Sequence, residues 1–358
     1  MKMKLALSAL LATSLSMACL AGPLAKANVD QNAKWLLHID FDQFRTSKLG
    51  QFLINDVIVK QVNAAKAEDD SGFLTNMDVV KIIGQLHSLT AYGTSFDTGE
   101  KFDGVLLLQV EPETRKILEG AAAGLLLNGD GTLTKTNEDG YTYYSMKDEV
   151  FASPLENGTI LFSRSKDKIK HAASIIAGKS KNLSHSKSFS DFPAVTDNFI
   201  FLAVAEGFQD NLPIPPEAKV LKQADGARIV LGEKKGDVFL NIALKAKDSE
   251  VVTQIRQVVE GIIALGSLSQ SENKELQDLI QSIKVTATEK VLSVNAAYPA
   301  DSLITRATSM LEDEESKPRH KDHKKHQDHE TGEKSKPDKA EKSEAAKTDK
   351  AESSADDQ

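Results

Sequence analysis

Four histidines recur at every third position near the end of the chain. They are half of the eight histidines in this 358-residue sequence: His320, His323, His326 and His329. Imidazole nitrogens bind zinc, nickel and copper, and in a helical turn residues three apart have Cβ atoms about 5–6 Å from each other. In an extended polyproline-like coil they are about 9 Å apart and cannot share an ion. We expect weak zinc, nickel or copper capture, or a solvated tract without a ligand.

A second group of potential ligands lies on one predicted strand. His38, Asp40 and Asp42 alternate along the sequence, and a period of two places all three on one strand face. A histidine with two carboxylates suits a metal ion, or an acid–base site in a hydrolase. Because the chain offers no obvious fourth ligand, we favour the polar side of an amphipathic strand, with Asp42 as a helix N-cap.

Known catalytic motifs are incomplete in this sequence. Ser163 and Lys166 have the Ser-x-x-Lys spacing of serine acyl-transfer enzymes, but the companion Lys-Thr-Gly and Ser-Asp-Asn motifs are absent. No Gly-x-Ser-x-Gly or His-Glu-x-x-His motif occurs. Tyr141, Tyr143 and Tyr144 suit either a ligand or packing on a sheet, and packing is favoured. We therefore expect a protein without catalytic residues or a resident cofactor.

The elements that must position these groups are helices and antiparallel strands. Residues 86–110 predict a β-hairpin that leads into an amphipathic helix starting at Pro112. A similar unit recurs at 224–266, where alternating Val238–Lys245 precedes a helix capped by Asp248. The order hairpin, helix, hairpin, helix thus occurs twice. It predicts an α+β fold of two related lobes, each an antiparallel sheet with helices mainly on one face.

Composition divides the chain into five segments. The first has basic Lys2 and Lys4, an apolar run and an Ala25-Lys26-Ala27 cleavage signal, as in a signal peptide. The last contains no large apolar residue, and 25 of its 46 residues are charged, which predicts a disordered tail. The expected boundaries are signal peptide 1–27, first lobe 28–180, linker 181–192, second lobe 193–312 and tail 313–358.

The leader and the charge limit the compartment and the partners. Cys19 is the single cysteine, but Ser16 stands where lipidation needs a large aliphatic residue, so we expect a cysteine-free mature protein starting at Asn28. The destination is the periplasm or the cell exterior. No other run approaches the roughly 18 consecutive apolar residues of a membrane helix, so we expect no transmembrane segment in the mature chain. The net charge of −8 argues against nucleic acid as a partner.

The opening of the first lobe carries a resemblance. The stretch 35–53, WLLHIDFDQFRTSKLGQFL, has an apolar strand ending in Asp-x-Asp and then a helix with Lys-Leu-Gly. It resembles a loose group of uncharacterised exported bacterial proteins. The resemblance extends to the general order of elements, and it implies no activity and no functional residue.

These observations favour a non-catalytic exported protein that binds an envelope partner or a small apolar ligand. One alternative is an envelope hydrolase with a site near His38, Asp40 and Asp42. Another is a purely structural or assembly factor. A large apolar cavity between sheet and helices would favour the first of these, whereas a filled core would favour the last.

Overall fold

A computed structural model describes residues 23–67, 78–96, 103–127, 133–147, 149–195, 198–208, 223–269 and 274–316. Its strands form a single antiparallel sheet of twelve. They are Trp35–Asp40 (β1), Leu86–Gly93 (β2), Val105–Val110 (β3), Leu133–Glu138 (β4), Tyr141–Met146 (β5), Val150–Pro154 (β6), Thr159–Ser163 (β7), Phe199–Glu206 (β8), Ala224–Lys234 (β9), Asp237–Ala246 (β10), Lys284–Ala287 (β11) and Val291–Pro299 (β12).

Several of the described helices begin at residues whose side chains accept hydrogen bonds from free backbone N–H groups. Asp40 accepts from Gln43, and Ser165 accepts from Lys168. The first N-cap is therefore Asp40, not Asp42. The helices are Phe41–Thr46 (α1), Lys48–Phe52 (α2), Val59–Ala67 (α3), Val79–Gly84 (α4), Pro112–Leu127 (α5), Lys166–Ile176 (α6), Ser249–Ser269 (α7), Lys274–Ser282 (α8) and Ala300–Ser316 (α9), with a π-helical turn at Leu53–Ile58.

The sheet is built outward from a central pair of strands. Its order is β11-β12-β10-β9-β8-β1-β2-β3-β7-β6-β5-β4. β1 and β8 pair antiparallel at the centre, with Trp35 opposite Ala205. Next to β1 lie the two strands of the hairpin β2–β3 and then β7, which comes after α5 in the chain. Next to β8 lie the two strands of the hairpin β9–β10 and then β12, which comes after α7. The α+β class and antiparallel pairing are confirmed, and the two expected lobes are halves of one sheet.

The main core lies on one face of this sheet. It extends across both halves, from Leu107 and Leu161 on one side to Val230 and Ala243 on the other. Residues 181–192, expected to be a linker, contribute buried Leu183 and Phe192 to this core. A smaller cluster lies beneath α7 and consists of Ala224, Ala246, Val252, Ile255 and Leu292.

Three hairpin turns of the described sheet contain glycines in the left-handed region, and two of these glycines share one φ value. Gly140, between β4 and β5, and Gly158, between β6 and β7, both have φ of +81°. The turn at Asn157-Gly158 was predicted from the sequence and is confirmed, with the Asn157 side chain accepting a hydrogen bond from the Thr159 N–H at 3.1 Å. Gly140 and Gly158 therefore have the same φ, although they lie in different hairpins.

Several sequence predictions concern residues outside the described ranges. They include most of the signal peptide, the four-histidine tract and nearly all of the tail. Of residues 313–358, the structure describes 313–316, which form the end of α9.

Candidate functional site

The three alternating polar residues His38, Asp40 and Asp42 have separate roles, and the prediction that all three lie on one strand face is wrong because β1 ends at Asp40. His38 is 1% exposed, its Nδ1 lies 2.8 Å from Thr90 Oγ1, and its ring packs edge-on against Phe199. Asp40 is also buried and caps α1. Asp42 lies in the first turn of α1 and pairs with Arg45.

These three side chains do not form a common ligand set. Asp42 faces His87, with Nδ1 3.1 Å from Asp42 Oδ2, and the other ring nitrogen of His87 lies 3.1 Å from Glu111 Oε1. This series ties α1 to β2 and to the end of β3. Across the described ranges, no group of three His, Cys, Asp or Glu side chains could hold a metal ion.

The Asp40 carboxyl gives a pH-dependent prediction. Burial raises the pKa of Asp40 above its ordinary value, the Gln43 N–H opposes this, and the Asp42 carboxylate adds to it. The folded state then holds the proton more tightly than the unfolded state. Stability associated with Asp40 therefore falls as pH rises from the ordinary pKa of an aspartate through the raised one.

Asp40→Asn should therefore be at least as stable as the wild type at pH 7, because it keeps the capping oxygen and removes the buried charge. Its relative stability should fall as the pH is lowered to 4. Asp40→Ala also removes the charge but loses the cap, so it should be about 1 kcal/mol less stable than Asp40→Asn at both pH values. Urea unfolding at the two pH values measures this, and an Asp40→Asn loss that grows towards pH 7 would contradict it.

An apolar cavity lies between α5 and the sheet on the face opposite the main core. It encloses about 320 Å³ and is lined from α5 and from β4, β5, β6 and β7. Leu106, Leu108, Ile160 and Phe162 face this side, whereas Leu107 and Leu161 between them face the core. The lining residues are Leu118, Glu119, Ala121, Ala122, Leu133, Tyr144, Met146, Val150, Ala152, Pro154, Ile160 and Phe162.

A second cavity adjoins the first along the same face. It has a volume of about 410 Å³ and shares Val150 and Phe162 with its neighbour. Leu106 and Leu108 of β3 extend its apolar wall, and Arg164 stands at its polar end. The two cavities thus form one continuous apolar surface on β3–β7.

The helix above this surface is loosely packed. Thr114 is fully buried near the start of α5, but Ile117 is 46% exposed. The apolar stripe predicted for this helix is therefore incompletely buried.

Comparison with known proteins gives little beyond this geometry. No family model matches the chain, and no curated protein matches it. Its architecture is distantly similar to crystal structures of TP0453. Crystal form III has a TM-score of 0.43 at 11% identity over 80% of this chain and 98% of that chain; crystal form I has 0.40 at 9%, over 80% and 96%. Similarity at this distance assigns no function and no site residue.

A second apolar helix is exposed in the other half of the sheet. α7 buries Val252 and Ile255, but Ile262, Leu265 and Leu268 are 59%, 68% and 75% exposed. By length and composition alone, α7 is the one helix among the described residues that could cross a membrane. From the sequence we expected no transmembrane segment, because we looked for an unbroken run of apolar residues. In α7, Arg256 and Glu260 interrupt the apolar run.

Of the residues that line the cavity beneath α5, Tyr144 was predicted from the sequence to suit either a ligand or packing. Of the three tyrosines considered, Tyr143 is fully buried in the main core and Tyr144 lines the cavity. Successive residues of a strand face opposite sides, so alternation could have assigned them to opposite faces. It could not have shown that one face is only partly covered.

Proposed function

We propose that this protein is an exported, non-catalytic binding protein that holds a small apolar ligand between α5 and the sheet in the cell envelope. The cavity of about 320 Å³ carries this proposal. Ten of its twelve lining side chains are apolar, and the exceptions are Glu119 and Tyr144. Ligand pockets in proteins have volumes of roughly 300–1,000 Å³ and are mostly apolar with a few polar groups.

The chemistry of the wall selects an uncharged ligand. Desolvating a charged group against Met146, Val150 and Phe162 would cost several kcal/mol without a partner. An apolar ligand gains roughly 25 cal/mol for each Å² removed from water. Tyr144 lies beside the ammonium of Lys135, which is 5.3 Å from its ring centroid, so one end of the cavity also suits a polar tip.

Entry of the ligand requires α5 to move away from the sheet. Among the described side chains of α5, Thr114 is the buried one and Ile117 is half-exposed, so little apolar surface holds this helix to the sheet. Helices that bury little apolar surface need less free energy to open locally than the rest of a fold. α5 is therefore the natural cover of the cavity.

Export is supported by the surroundings of the predicted cleavage signal. Ala25, Lys26 and Ala27 are exposed, so a peptidase can reach them. Val29 and Asp30 follow directly and are buried, with Asp30 Oδ2 2.7 Å from His171 Nε2. Cleavage after Ala27 would leave an N-terminus anchored on α6.

The proposal is tested by filling the cavity. Ala122→Trp places an indole under α5 and should weaken binding of the neutral fluorescent probe N-phenyl-1-naphthylamine at least tenfold, because the added side chain takes up ligand volume. Ala297→Trp, on the outer strand β12 and on the opposite face, is the matched control and should bind the probe as the wild type does. Fluorescence titration of the full chain measures both.

Two results would refute the proposal. One is a wild-type protein that does not bind the probe at micromolar concentration. The other is equal loss of binding in both tryptophan variants while circular dichroism shows both to be folded. The second result would place the probe outside the cavity beneath α5.

A further inference from the structure

Arg228 is a buried cation that has no carboxylate partner among the described residues. It lies on β9 and is 5% exposed, and no ion pair involves it among the residues the structure describes. Its Nη1 donates to the Pro193 carbonyl, and its Nη2 donates to Asn241 Oδ1 at 2.7 Å. Its Nε has no acceptor. The ring of Phe192 lies 5.7 Å from the guanidinium carbon.

Burying the Arg228 charge destabilises the folded protein unless a further group compensates that charge. A buried unpaired ion costs several kcal/mol, and neutral hydrogen bonds offset part of that. Burial lowers the pKa of Arg228, but an arginine stays protonated in proteins. The positive charge is therefore permanent and needs a compensating anion.

An open cavity lies against this residue. It has a volume of about 670 Å³ and covers the main-core face of β9, β10 and β12. Lys234 and Lys235 stand at its rim beside a single acidic residue, Asp237. Within the described lining, positive charge therefore predominates.

Arg228 determines the orientation of two amide side chains that line this cavity, Asn241 and Asn295. A guanidinium donates hydrogen bonds only, so Asn241 must present its oxygen to Arg228. Asn241 Nδ2 then donates to Asn295 Oδ1 at 2.6 Å. The amide nitrogen of Asn295 consequently remains as a donor at the end of this series. Among the described residues, hydrogen-bond donors and no carboxylate lie at this end of the cavity.

The rest of the cavity wall is mostly apolar. Val195, Val230, Phe239 and Ala297 line it together with two hydroxyl side chains, Thr286 and Ser293. A ligand that fits both parts carries an acceptor at one end and an apolar body at the other. A carboxylate meets the first requirement because it offers two acceptor oxygens and a compensating charge.

We infer that this cavity is a second binding site, for a small carboxylate with an apolar body, whose carboxylate lies at the end formed by Arg228 and Asn295. The site is distinct from the cavity beneath α5. It lies on the opposite face of the sheet and in the other half of the chain.

Octanoate is the probe for this inference, and isothermal titration of the full chain measures its binding. We expect saturable octanoate binding that weakens roughly tenfold or more in Arg228→Gln, because hydrogen bonds to a charged group are worth at least that factor. Arg256→Gln removes an equal charge from an exposed position on α7 and should leave binding unchanged. Octan-1-ol lacks the charge and should bind at least tenfold more weakly than octanoate to Ala122→Trp, a variant in which the cavity beneath α5 is filled.

Ala297→Trp provides a second variant that leaves the buried network intact. Ala297 is an exposed residue that lines the cavity, so the indole should abolish octanoate binding without disturbing the fold. Ala122→Trp should bind octanoate normally, which separates this site from the one beneath α5. The inference is overturned if the wild type does not bind octanoate, if octan-1-ol binds Ala122→Trp as tightly as octanoate does, or if a folded Ala297→Trp or Arg228→Gln variant retains full affinity for octanoate.

Discussion

Gly158→Ala will lower the free energy of unfolding by roughly 2–5 kcal/mol. Two costs combine at this position. The φ of +81° is unfavourable for any residue with a Cβ atom, and that atom would lie 2.5 Å from the Val110 carbonyl oxygen. The contact cannot relax easily, because the Val110 N–H donates to the Gly158 carbonyl at 3.0 Å and holds the two backbones together.

Gly140→Ala is the matched control for this prediction. Gly140 has the same φ, but an added Cβ atom would meet nothing within 4 Å. It should therefore cost only the conformational penalty, roughly 1–2 kcal/mol. Urea unfolding followed by circular dichroism gives both values. Equal losses in the two variants would mean that the approach of Val110 to the turn does not constrain this position.

Leu36→Ala will lower the free energy of unfolding by roughly 2–5 kcal/mol and will do so in one cooperative step. Leu36 is 2% exposed on β1, and its backbone is paired with Tyr92 of β2 and with Val204 of β8. The cavity left by the truncation would thus weaken both halves of the sheet at their junction. Leu265→Ala, at a residue 68% exposed on α7, should change stability by less than about 0.5 kcal/mol.

Two signals test whether the step is single. Far-UV circular dichroism reports on the whole sheet, whereas fluorescence comes from the single tryptophan, Trp35, at its centre. The two midpoints should coincide in urea for both the wild type and Leu36→Ala. Separate midpoints would show that the halves of the sheet unfold independently.

Local signals in the sequence predicted much of the fold. The alternation in Val238–Lys245 and the proline at residue 112 depend on neighbouring residues, and β10 and α5 appear where they were expected. The pairing of β1 with β8 joins residues far apart in the chain, as with Trp35 and Ala205. No periodicity within a short window contains that information.

The candidate sites were harder to predict from sequence than the elements that carry them. An apolar stripe predicts that α5 faces the sheet, but the volume left beneath it depends on how closely the helix approaches. Arg228 did leave a signal, because it shares a strand face with inward-facing Gly226 and Val230. A charged residue at such a position indicates either a buried partner or a ligand.

The position of β1 has a consequence for synthesis on the ribosome. β1 is made first, and its partner β2 follows about fifty residues later, but β8 is translated only after the whole of β2–β7. Until then the nascent chain carries an open sheet edge, and an unpaired edge readily accepts a strand from another molecule. Two incomplete chains present the same strand edge, so they can pair with each other when translation stalls. In a finished chain, β8 occupies this edge and prevents such pairing.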